Sequence, residues 1–369
     1  MEEVVAGAIN WSGKRVLLTG HTGFKGAWLA QWLVRKGASV IGFALQPPTT
    51  PSLFHAAQLH KDMNSVTGDV RDADTVRRVM REAAPELVIH MAAQSLVRPA
   101  YVDPVGTYAT NVMGTVHVLD AVRHTDSVRA VVNVTSDKCY ENREWVWPYR
   151  ESDPMGGHDP YSNSKGCAEL VSASYRSSFF AGADAARQVS IATVRAGNVI
   201  GGGDWATDRL IPDLVRGFMT GHPVRLRRPS AVRPWQHVLE PLSGYLLIAE
   251  RLLTAGAEYA EGWNFGPQLE HTLPVSAVAD ALVTHWGDAR AKWVRDEDRH
   301  PHEAHHLSLD WSKARLRLGW SPRWSLDDAV QRTAVWYRSY YSDSSAQAVR
   351  TLCDADFVAY DGNMHARAG

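Results

Sequence analysis

Short apolar runs and longer amphipathic stretches alternate along the first half of the chain. The runs are rich in valine and isoleucine, are bounded by turn residues, and lie at 15–19, 39–45, 87–90, 130–135 and 190–195. Stretches with helical spacing separate them, at 27–36, 73–83 and 104–122. Nearly continuous apolar strands that alternate with helices indicate a parallel sheet covered on both faces. The pattern therefore predicts a Rossmann-like, doubly wound α/β fold.

The second half, beyond about residue 196, loses this alternation. Long loops are predicted around GGGD (201–204), the arginine-rich segment 225–233 and the histidine-rich segment 299–306. One late helix is predicted from Ser325, a good N-cap followed by two aspartates, to about Tyr340. We expect a first domain at 1–195, a smaller and partly interleaved second domain at 196–345, and a C-terminal tail at 346–369 without a predicted element.

Composition excludes several classes of function. The 369 residues carry a formal net charge of −1, which argues against a protein that coats nucleic acid or an anionic membrane. No run of about 18 apolar residues is present, and the acidic N-terminus does not resemble a signal peptide. The three cysteines are scattered and odd in number, which suits a reducing compartment. We expect a cytoplasmic protein without membrane or nucleic-acid partners.

A glycine-rich segment follows the first predicted strand and opens a helix. Glycines in such a turn let the backbone approach a pyrophosphate, which then lies at the helix N-terminus; a turn of this kind without a ligand is the alternative. Asp69 lies where a third strand would end and can accept an adenine amino group, and two alanines after the next strand permit close backbone approach. The candidate cofactor-binding residues are Gly20, Thr22, Gly23, Phe24, Lys25, Gly26, Asp69, Val70, Ala92, Ala93, Gln94 and Asn111, with Tyr161 and Lys165 of the catalytic set below.

The second strand bears on the choice of dinucleotide. An acidic residue at its end would bind the ribose hydroxyls of NAD. The segment 42–47 (GFALQP) has no such residue, and it also has no arginine or lysine for the 2′-phosphate of NADP. The sequence therefore favours NAD as the cofactor.

A phenol and an ammonium group, on Tyr161 and Lys165, lie four residues apart and so share one face of a helix. A nearby cation favours the phenolate and is expected to lower the tyrosine pKa toward neutrality, which makes a base for an alcohol proton. Ser136, Asp137 and Lys138 follow a strand and are expected to face the same cleft. These five residues are the candidate catalytic set, and an ion pair with Asp137 is the alternative interpretation for Lys138.

These motifs resemble those of the extended short-chain dehydrogenases, and within them the CDP-glucose branch of the sugar-nucleotide 4,6-dehydratases. The dTDP-glucose branch carries Asp-Glu where this chain has Asp137 and Lys138. The similarity covers about residues 13–340. It rests on GHTGFKG (20–26), AAQSLVRPAY (92–101), NVMGT (111–115), TSDKCYEN (135–142), YSNSK (161–165), RAGNVIGGGDW (195–205), DRLIP (208–212) and RPWQHVLEPLSGYL (233–246).

The resemblance implies NAD-dependent 4,6-dehydration of a nucleotide-diphosphate glucose, with CDP-glucose favoured and the hydride passing internally from carbon 4 to carbon 6. Tyr161 would deprotonate the 4-hydroxyl, Asp137 would protonate the departing 6-hydroxyl, and Lys138 would remove the carbon 5 proton. Ser136 would hydrogen-bond the 4-oxygen, and Lys165 would also orient the nicotinamide ribose.

The diphosphate of such a substrate needs local cations, and arginine suits bidentate phosphate contacts. The candidates for these contacts are Arg209, Arg225, Arg227, Arg228 and Arg233; a solvated basic surface is the alternative. By resemblance, Arg233 and Asn198 contact substrate and the segment around His302 helps to close the sugar pocket. The candidate substrate-binding residues are Ser95, Asn198, Arg209, Arg227, Arg233, Asn264 and His302. No metal is expected, because the histidines at 300–306 lack a cysteine or aspartate at ligand-like spacing.

Two rival functions share the fold. A sugar-nucleotide 4-epimerase needs no acid–base pair at carbons 5 and 6, so Asp137 and Lys138 argue against it. A non-catalytic dinucleotide sensor commonly lacks the Tyr161–Lys165 pair. The resemblance also implies a homodimer or homotetramer in which helices near 104–122 and 161–180 pack against their mates. Alternatively, the apolar stripe of the first helix faces only its own sheet.

Overall fold

The computed structural model describes residues 9–180, 188–298 and 304–362. Its strands, in chain order, are β1 (Arg15–Thr19), β2 (Ser39–Ala44), β3 (Asn64–Thr67), β4 (Leu87–His90), β5 (Ala130–Val134), β6 (Ser190–Ala196), β7 (Asn198–Ile200), β8 (Val224–Leu226), β9 (Val232–His237), β10 (Gly262–Phe265), β11 (Thr272–Pro274) and β12 (Trp293–Arg295).

The helices connect and cover these strands. They are α1 (Phe24–Arg35), α2 (Leu53–Ala56), α3 (Ala73–Ala83), α4 (Val97–Val102), α5 (Pro104–Tyr108), α6 (Gly114–Arg123), α7 (Pro160–Tyr175), α8 (Leu210–Thr220), α9 (Leu239–Thr254), α10 (Val275–Trp286), α11 (Ser312–Leu318), α12 (Leu326–Ser342) and α13 (Ala346–Gly362). A π-helical turn at Ala109–Met113 joins α5 to α6, and a second follows α7 at Arg176–Phe180. None of the described helices is long and apolar enough to span a bilayer.

Seven strands form one parallel sheet in the order β10-β6-β5-β4-β1-β2-β3. The predicted doubly wound α/β fold is confirmed, and the five predicted strands agree with the observed ones to within one residue at either end. The last strand of the sheet, β10, comes from the second half of the chain. The other second-half strands form a three-stranded sheet, β11-β9-β7, and a pair, β12-β8.

The side chains of the sheet alternate between two hydrophobic layers. Leu17, Val88 and Val131 pack on the face covered by α3 and α6, whereas Val16 and Ile89 pack on the face covered by α1 and α9. Successive residues of a strand point to opposite faces, so a strand buried on both sides must be apolar at every position. This double burial explains the nearly continuous apolar runs, and the polar residues within the strands, such as Asn133 and Thr193, are hydrogen-bonded.

Two C-terminal helices close the layer formed by α1 and α9. The predicted helix from Ser325 is α12, and its capping box joins Ser325 to the Asp328 backbone and side chain. The following helix, α13, was not predicted. Its Phe357 ring packs edge-on against Trp28 at 5.4 Å between centroids, and the Tyr360 hydroxyl donates to Glu240 Oε2 at 2.7 Å. The helix therefore belongs to the core, although the assignment of whole segments to domains stays a prediction.

Glu240 should make the free energy of unfolding depend on pH. Burial raises its pKa to about 7, against the hydrogen bonds it accepts from the Trp324 amide, Tyr360 and the Arg323 amide. Because the folded pKa is raised, the stabilisation is complete below the unfolded value near 4.5 and is lost as pH rises through about 7. The wild-type protein should therefore lose roughly 3 kcal/mol of unfolding free energy between pH 5 and pH 8, and Glu240→Gln should not show this loss.

Urea unfolding at pH 5 and pH 8 measures this difference. Glu82→Gln, at an exposed carboxylate on α3, is the matched control and should keep the wild-type decline. An identical decline in the Glu240→Gln variant would show that this carboxyl does not titrate in the range.

Candidate active site

A cavity of about 770 Å³ opens at the carboxyl edge of the parallel sheet. The loops that follow β1 to β6 line one side of it, and the arginine-rich part of the second half lines the other. Ligands of open parallel sheets bind at this edge, because the connecting loops gather there and the strand interiors are buried. The volume is within the range of small-molecule sites.

The glycine loop after β1 is packed too tightly for side chains. Gly20 has a φ of +77°, and a Cβ there would lie 2.8 Å from the Ala92 nitrogen. A Cβ at Gly26 would lie 2.1 Å from the Gly20 carbonyl oxygen. No side chain caps the N-terminus of α1. The loop is therefore a backbone cradle that fits the pyrophosphate of a dinucleotide, and Thr22, Gly23, Phe24 and Lys25 line the cavity beside it.

The adjoining wall consists of the ends of β3 and β4, where Asp69, Val70, Ala92, Ala93 and Gln94 line the cavity. The two Asp69 carboxylate oxygens accept from the Arg71 backbone amide at 2.9 Å and from Arg71 Nε at 2.8 Å. The hydrogen bond from the Arg71 side chain lowers the pKa of Asp69, so the group is an anionic acceptor.

Asn111 does not line the cavity, although the sequence made it a candidate for cofactor contact. It lies in the π-helical turn between α5 and α6, where its side chain bonds both backbone groups of Gln94 at 2.9 Å and donates to Ser164 Oγ at 2.8 Å. Because its donors and its acceptor are occupied, Asn111 ties the loop after β4 to helix α7 and supports the site from behind.

Tyr161 and Ser136 both line the cavity, and the Ser136 hydroxyl acts to lower the pKa of the phenol. Helix α7 begins at Pro160, after an Asp159 N-cap that accepts from the Ser162 amide, so Tyr161 lies in its first turn. One turn later, Lys165 Nζ donates to the Val134 carbonyl oxygen at 3.3 Å, at the end of β5. Helix α7 and strand β5 therefore present the predicted catalytic groups together.

Burial governs the protonation of Tyr161 and Lys165. It raises the pKa of Tyr161 to about 12, and the hydrogen bond with Ser136 opposes the rise only in part. Burial lowers the pKa of Lys165 to about 8, while the Glu169 carboxylate acts to raise it. The expectation that Lys165 brings the phenol close to neutrality is therefore wrong for the polypeptide alone, because the loss of hydration outweighs the nearby cation.

Asp137 is the buried acid of the site. Its Oδ1 accepts from Ser136 Oγ at 2.9 Å, whereas its Oδ2 is buried and has no hydrogen-bond partner. Burial raises the pKa of Asp137, against the opposing charge of Lys138, and a carboxyl with a raised pKa suits a general acid. Lys138 is half-buried and lines the same cavity. Within the described residues it forms no ion pair with Asp137, so that alternative is not realised.

The far end of the cavity carries paired cations. Arg209 bonds Asp204 Oδ2 at 2.9 Å and Ser95 Oγ at 3.2 Å, and Arg227 bonds Asp208 at 3.1 Å. Arg225, Arg228, Arg233, Ser95 and Asn198 also line the cavity. The Arg233 guanidinium donates to the backbone carbonyls of Val232, Ala304 and His305. The five predicted arginines thus line one cavity and are not a scattered solvated surface.

Two predicted substrate residues are not placed in the cavity. Asn264 is buried elsewhere: it accepts from the Tyr140 hydroxyl at 2.7 Å and donates to the carbonyls of Tyr149 and Asp310. These bonds use its side-chain capacity, so the prediction of substrate contact is wrong. His302 lies outside the described residues. Among the residues that the structure describes, no group of three histidine, cysteine or acidic side chains is arranged to hold a metal ion.

Three residues near the site were not predicted. Asp204 holds Arg209, Tyr245 accepts from the buried Lys25 Nζ at 3.0 Å, and Glu169 lies behind Lys165. Burial lowers the pKa of Lys25 to about 7, and the charges of Lys165 and Arg209 act in the same direction. Asp204 and Tyr245 lie in matched motifs, but only tertiary contacts show what their side chains bind.

Known proteins resemble this chain in sequence and structure. The family model described as GDP-mannose 4,6 dehydratase matches residues 17–333. A CDP-glucose 4,6-dehydratase of Salmonella typhimurium is 57% identical over 331 residues, which cover 89% of this chain and 92% of that protein. A dTDP-glucose 4,6-dehydratase of Streptomyces griseus is 30% identical over 89% of this chain and 95% of its own length. A dTDP-glucose 4,6-dehydratase of Streptomyces venezuelae, solved with NAD bound, has a TM-score of 0.75 at 25% identity and covers 89% of this chain and 98% of its own.

The cradle after β1 predicts that Gly20→Ala abolishes detectable dinucleotide binding. The added methyl meets the Ala92 backbone, so the loop must move away from the position that fits a pyrophosphate. Gly319→Ala is the matched control: Gly319 has a φ of +68° with nothing within 4 Å, so it carries only the backbone cost of about 1 kcal/mol. Calorimetric titration with NAD should find wild-type affinity in the control, and equal affinity in both variants would rule out the cradle.

Proposed function

The chain belongs to the family described as GDP-mannose 4,6 dehydratase, within the extended short-chain dehydrogenases, and from that premise we propose that it converts CDP-glucose to CDP-4-keto-6-deoxyglucose. The motif resemblance to this family is confirmed. The enzyme is a hydro-lyase that uses NAD, and the high identity to a CDP-glucose 4,6-dehydratase supports CDP-glucose as its substrate.

The observation that carries this function is the buried and unpartnered Oδ2 of Asp137 in the cavity that Tyr161 and Ser136 also line. Oxidation of an alcohol needs only the phenol and the hydroxyl. Loss of a hydroxyl group also needs an acid, because hydroxide is a poor leaving group until it is protonated. An acid with a raised pKa in the same cavity meets this need. An epimerase has no use for that acid, so the site favours elimination.

The first step is removal of the proton from the 4-hydroxyl group. Tyr161 takes this proton, and the Ser136 hydroxyl, which lines the same cavity, holds the 4-oxygen. NAD, when bound, would supply the hydride chemistry at carbons 4 and 6. The glycine loop holds its pyrophosphate, and Lys165 keeps a positive charge beside the phenol, which stabilises the phenolate as it forms.

The second step is loss of water across carbons 5 and 6. The ketone at carbon 4 acidifies the proton on carbon 5, and Lys138 removes it as the base. Asp137 donates a proton to the departing 6-hydroxyl, so one water molecule leaves and a double bond joins carbons 5 and 6. Asp137 must be protonated when this step begins, and the burial that raises the Asp137 pKa favours its protonated form.

The arginine end of the cavity binds the diphosphate. Arg209 and Arg227 are held by Asp204 and Asp208, which fix the guanidinium groups while leaving donors for phosphate oxygens. Ser95, Asn198 and Arg233 line the same cavity and complete the proposed contacts. All three cysteines are unpaired, which supports the proposed cytoplasmic location.

An exposed apolar surface supports a homodimer, with a homotetramer as the alternative. On α4 to α7 and the π-helical turns beside them, large apolar side chains face outward, with Val102, Val105 and Leu170 exposed by 86%, 77% and 61%. Tyr101, Met113 and Phe179 belong to the same helices and turns. Contiguous exposed apolar side chains of this size mark protein contacts, and pairing of α5 to α7 with a second copy would cover them.

Labelled substrate tests the reaction directly. CDP-glucose carrying deuterium at carbon 4 should yield a product lighter by the mass of one water, about 18, with the deuterium in the new methyl group. Reduced cofactor should not accumulate, since each turnover returns the hydride. Mass spectrometry of the product reads both the loss and the position of the label.

Two variants locate the steps. Tyr161→Phe should form no product because the first proton cannot leave. Lys138→Ala should oxidise carbon 4 and then stall, so that reduced cofactor builds up on the protein. Label returned to carbon 4 with inverted configuration, and no loss of water, would assign the chain to the epimerases instead.

The apolar surface predicts that Leu170→Glu produces a monomer. A charge placed in a buried interface loses its hydration without a partner, so association should weaken by orders of magnitude. Leu316→Glu, at a leucine that is 76% exposed on α11, is the matched control and should remain a dimer. Sedimentation velocity distinguishes the two, and a Leu170→Glu dimer would place the interface elsewhere.

A further inference from the structure

A buried ion pair lies directly behind the catalytic groups. Arg195, on β6, grips the Glu169 carboxylate with Nε at 2.7 Å and Nη2 at 2.8 Å. Both side chains are about 5% exposed. No step of the proposed reaction uses either residue, and neither lines the cavity.

The Glu169 carboxylate also joins the two strands that flank the site. Thr135 Oγ1 donates to one oxygen at 2.5 Å, and Thr193 Oγ1 donates to the other at 2.6 Å. Thr135 is the residue immediately before Ser136, so its hydroxyl anchors the backbone from which Ser136 and Asp137 project. The carboxylate thereby holds helix α7 against the ends of β5 and β6.

The same carboxylate is the anion behind Lys165. The two residues are one helical turn apart on α7 and so lie on the same face. Glu169 and Cys139 act to raise the Lys165 pKa against burial. The charged and titratable groups around Lys165 and Glu169 are Tyr161 on α7, Cys139 after β5, His90 on β4, Lys25 on α1, Arg195 on β6 and Arg176 after α7.

The ring of contacts extends beyond the pair. Arg195 Nη1 donates to the Tyr140 hydroxyl at 2.7 Å, and that hydroxyl donates to Asn264 Oδ1 at 2.7 Å on β10. Each oxygen of Glu169 has two partners, and the position of its carboxylate is set from the ends of two strands, β5 and β6. Such a group can hold neighbouring side chains to a fraction of an ångström.

We propose that Glu169, clamped by Arg195, is a positioning residue of this active site, which aligns Ser136 through Thr135 and keeps a compensating negative charge behind Lys165. The role deepens the proposed dehydration and rests on it. The carboxylate touches neither substrate nor cofactor; it acts through the two residues that do.

The charge role is tested by the pH dependence of kcat with CDP-glucose. In Glu169→Gln the Arg195 cation loses its counter-charge, so Lys165 should lose its proton at lower pH and the alkaline limb should move down by about one pH unit. Activity above the limb then falls roughly tenfold, with KM little changed. In Glu169→Gln/Arg195→Gln the region is neutral again, and the limb should return toward the wild-type position.

The alignment role is tested by a matched pair of isosteric variants. Thr135→Val and Thr193→Val each remove one hydroxyl from Glu169, but only Thr135 precedes Ser136. Thr135→Val should lower kcat several-fold without changing KM, whereas Thr193→Val should keep most of its activity. Glu169→Asp keeps the charge and so should keep the alkaline limb of the pH profile. If Glu169→Gln does not fold, this variant and the two threonine variants test the proposed role of Glu169.

A control separates these effects from general loss of structure. Glu250→Gln changes another partly buried carboxylate, which accepts from Trp11 Nε1 at 2.8 Å away from the site, and should leave both the limb and kcat unchanged. An unmoved limb in Glu169→Gln, or equal kcat in the two threonine variants, would overturn the proposal. If the wild-type protein does not release water from CDP-glucose, the proposed function fails instead.

Discussion

Burial of the parallel sheet on both faces is the constraint on which the rest of the structure depends. With helices α1 and α9 on one side and α3 and α6 on the other, no polar side chain is tolerated within a strand unless it is bonded. Chemistry is therefore confined to the carboxyl edge, where the loops after β1 to β6 surround a single cavity. Thr135, at the end of β5, and the neighbouring Glu169–Arg195 pair are polar, and each is fully engaged. The glycine loop follows β1 and Asp137 follows β5, on either side of β4 in the sheet, and helix α7 brings Tyr161 to the same edge.

The same burial sets the chemistry of the site. Loss of hydration disfavours every charged form, so it raises the pKa of Tyr161 and of Asp137 while it lowers the pKa of Lys165. For Asp137 the raised pKa suits its proposed role, because a general acid must hold its proton until it donates it. For Tyr161 and Lys165 it is opposed by neighbours, the Ser136 hydroxyl and the Glu169 carboxylate. The active site is thus a balance between a water-poor cavity, which strengthens electrostatic interactions, and a few placed charges that determine which proton moves.

The second half of the chain supplies the arginines that line the far wall of the cavity. Its arginines converge on the cavity, and Asp204 and Asp208 hold two of them in place. Its strand β10 joins the main sheet, and α13 packs on Trp28 of α1 through Phe357. These contacts join the second half of the chain to the hydrophobic core of the first half, so the two walls of the cavity pack on one core.

The sequence by itself predicted the parallel sheet, the tight glycine turn after β1 and the common cavity of Ser136, Asp137, Tyr161 and Lys165, because each of these follows from local spacing. Strand periodicity is local, tight turns need glycine, and residues four apart on a helix share a face. It could not determine the direction of pKa change at Tyr161, since that depends on how many groups from other elements exclude water. It also could not separate Asn198, which lines the cavity, from Asn264, whose amide is consumed by Tyr140, Tyr149 and Asp310. Helix α13 was not predicted because it also depends on tertiary contacts. Its apolar residues face Trp28 and Trp32, and that contact exists only once the chain has folded.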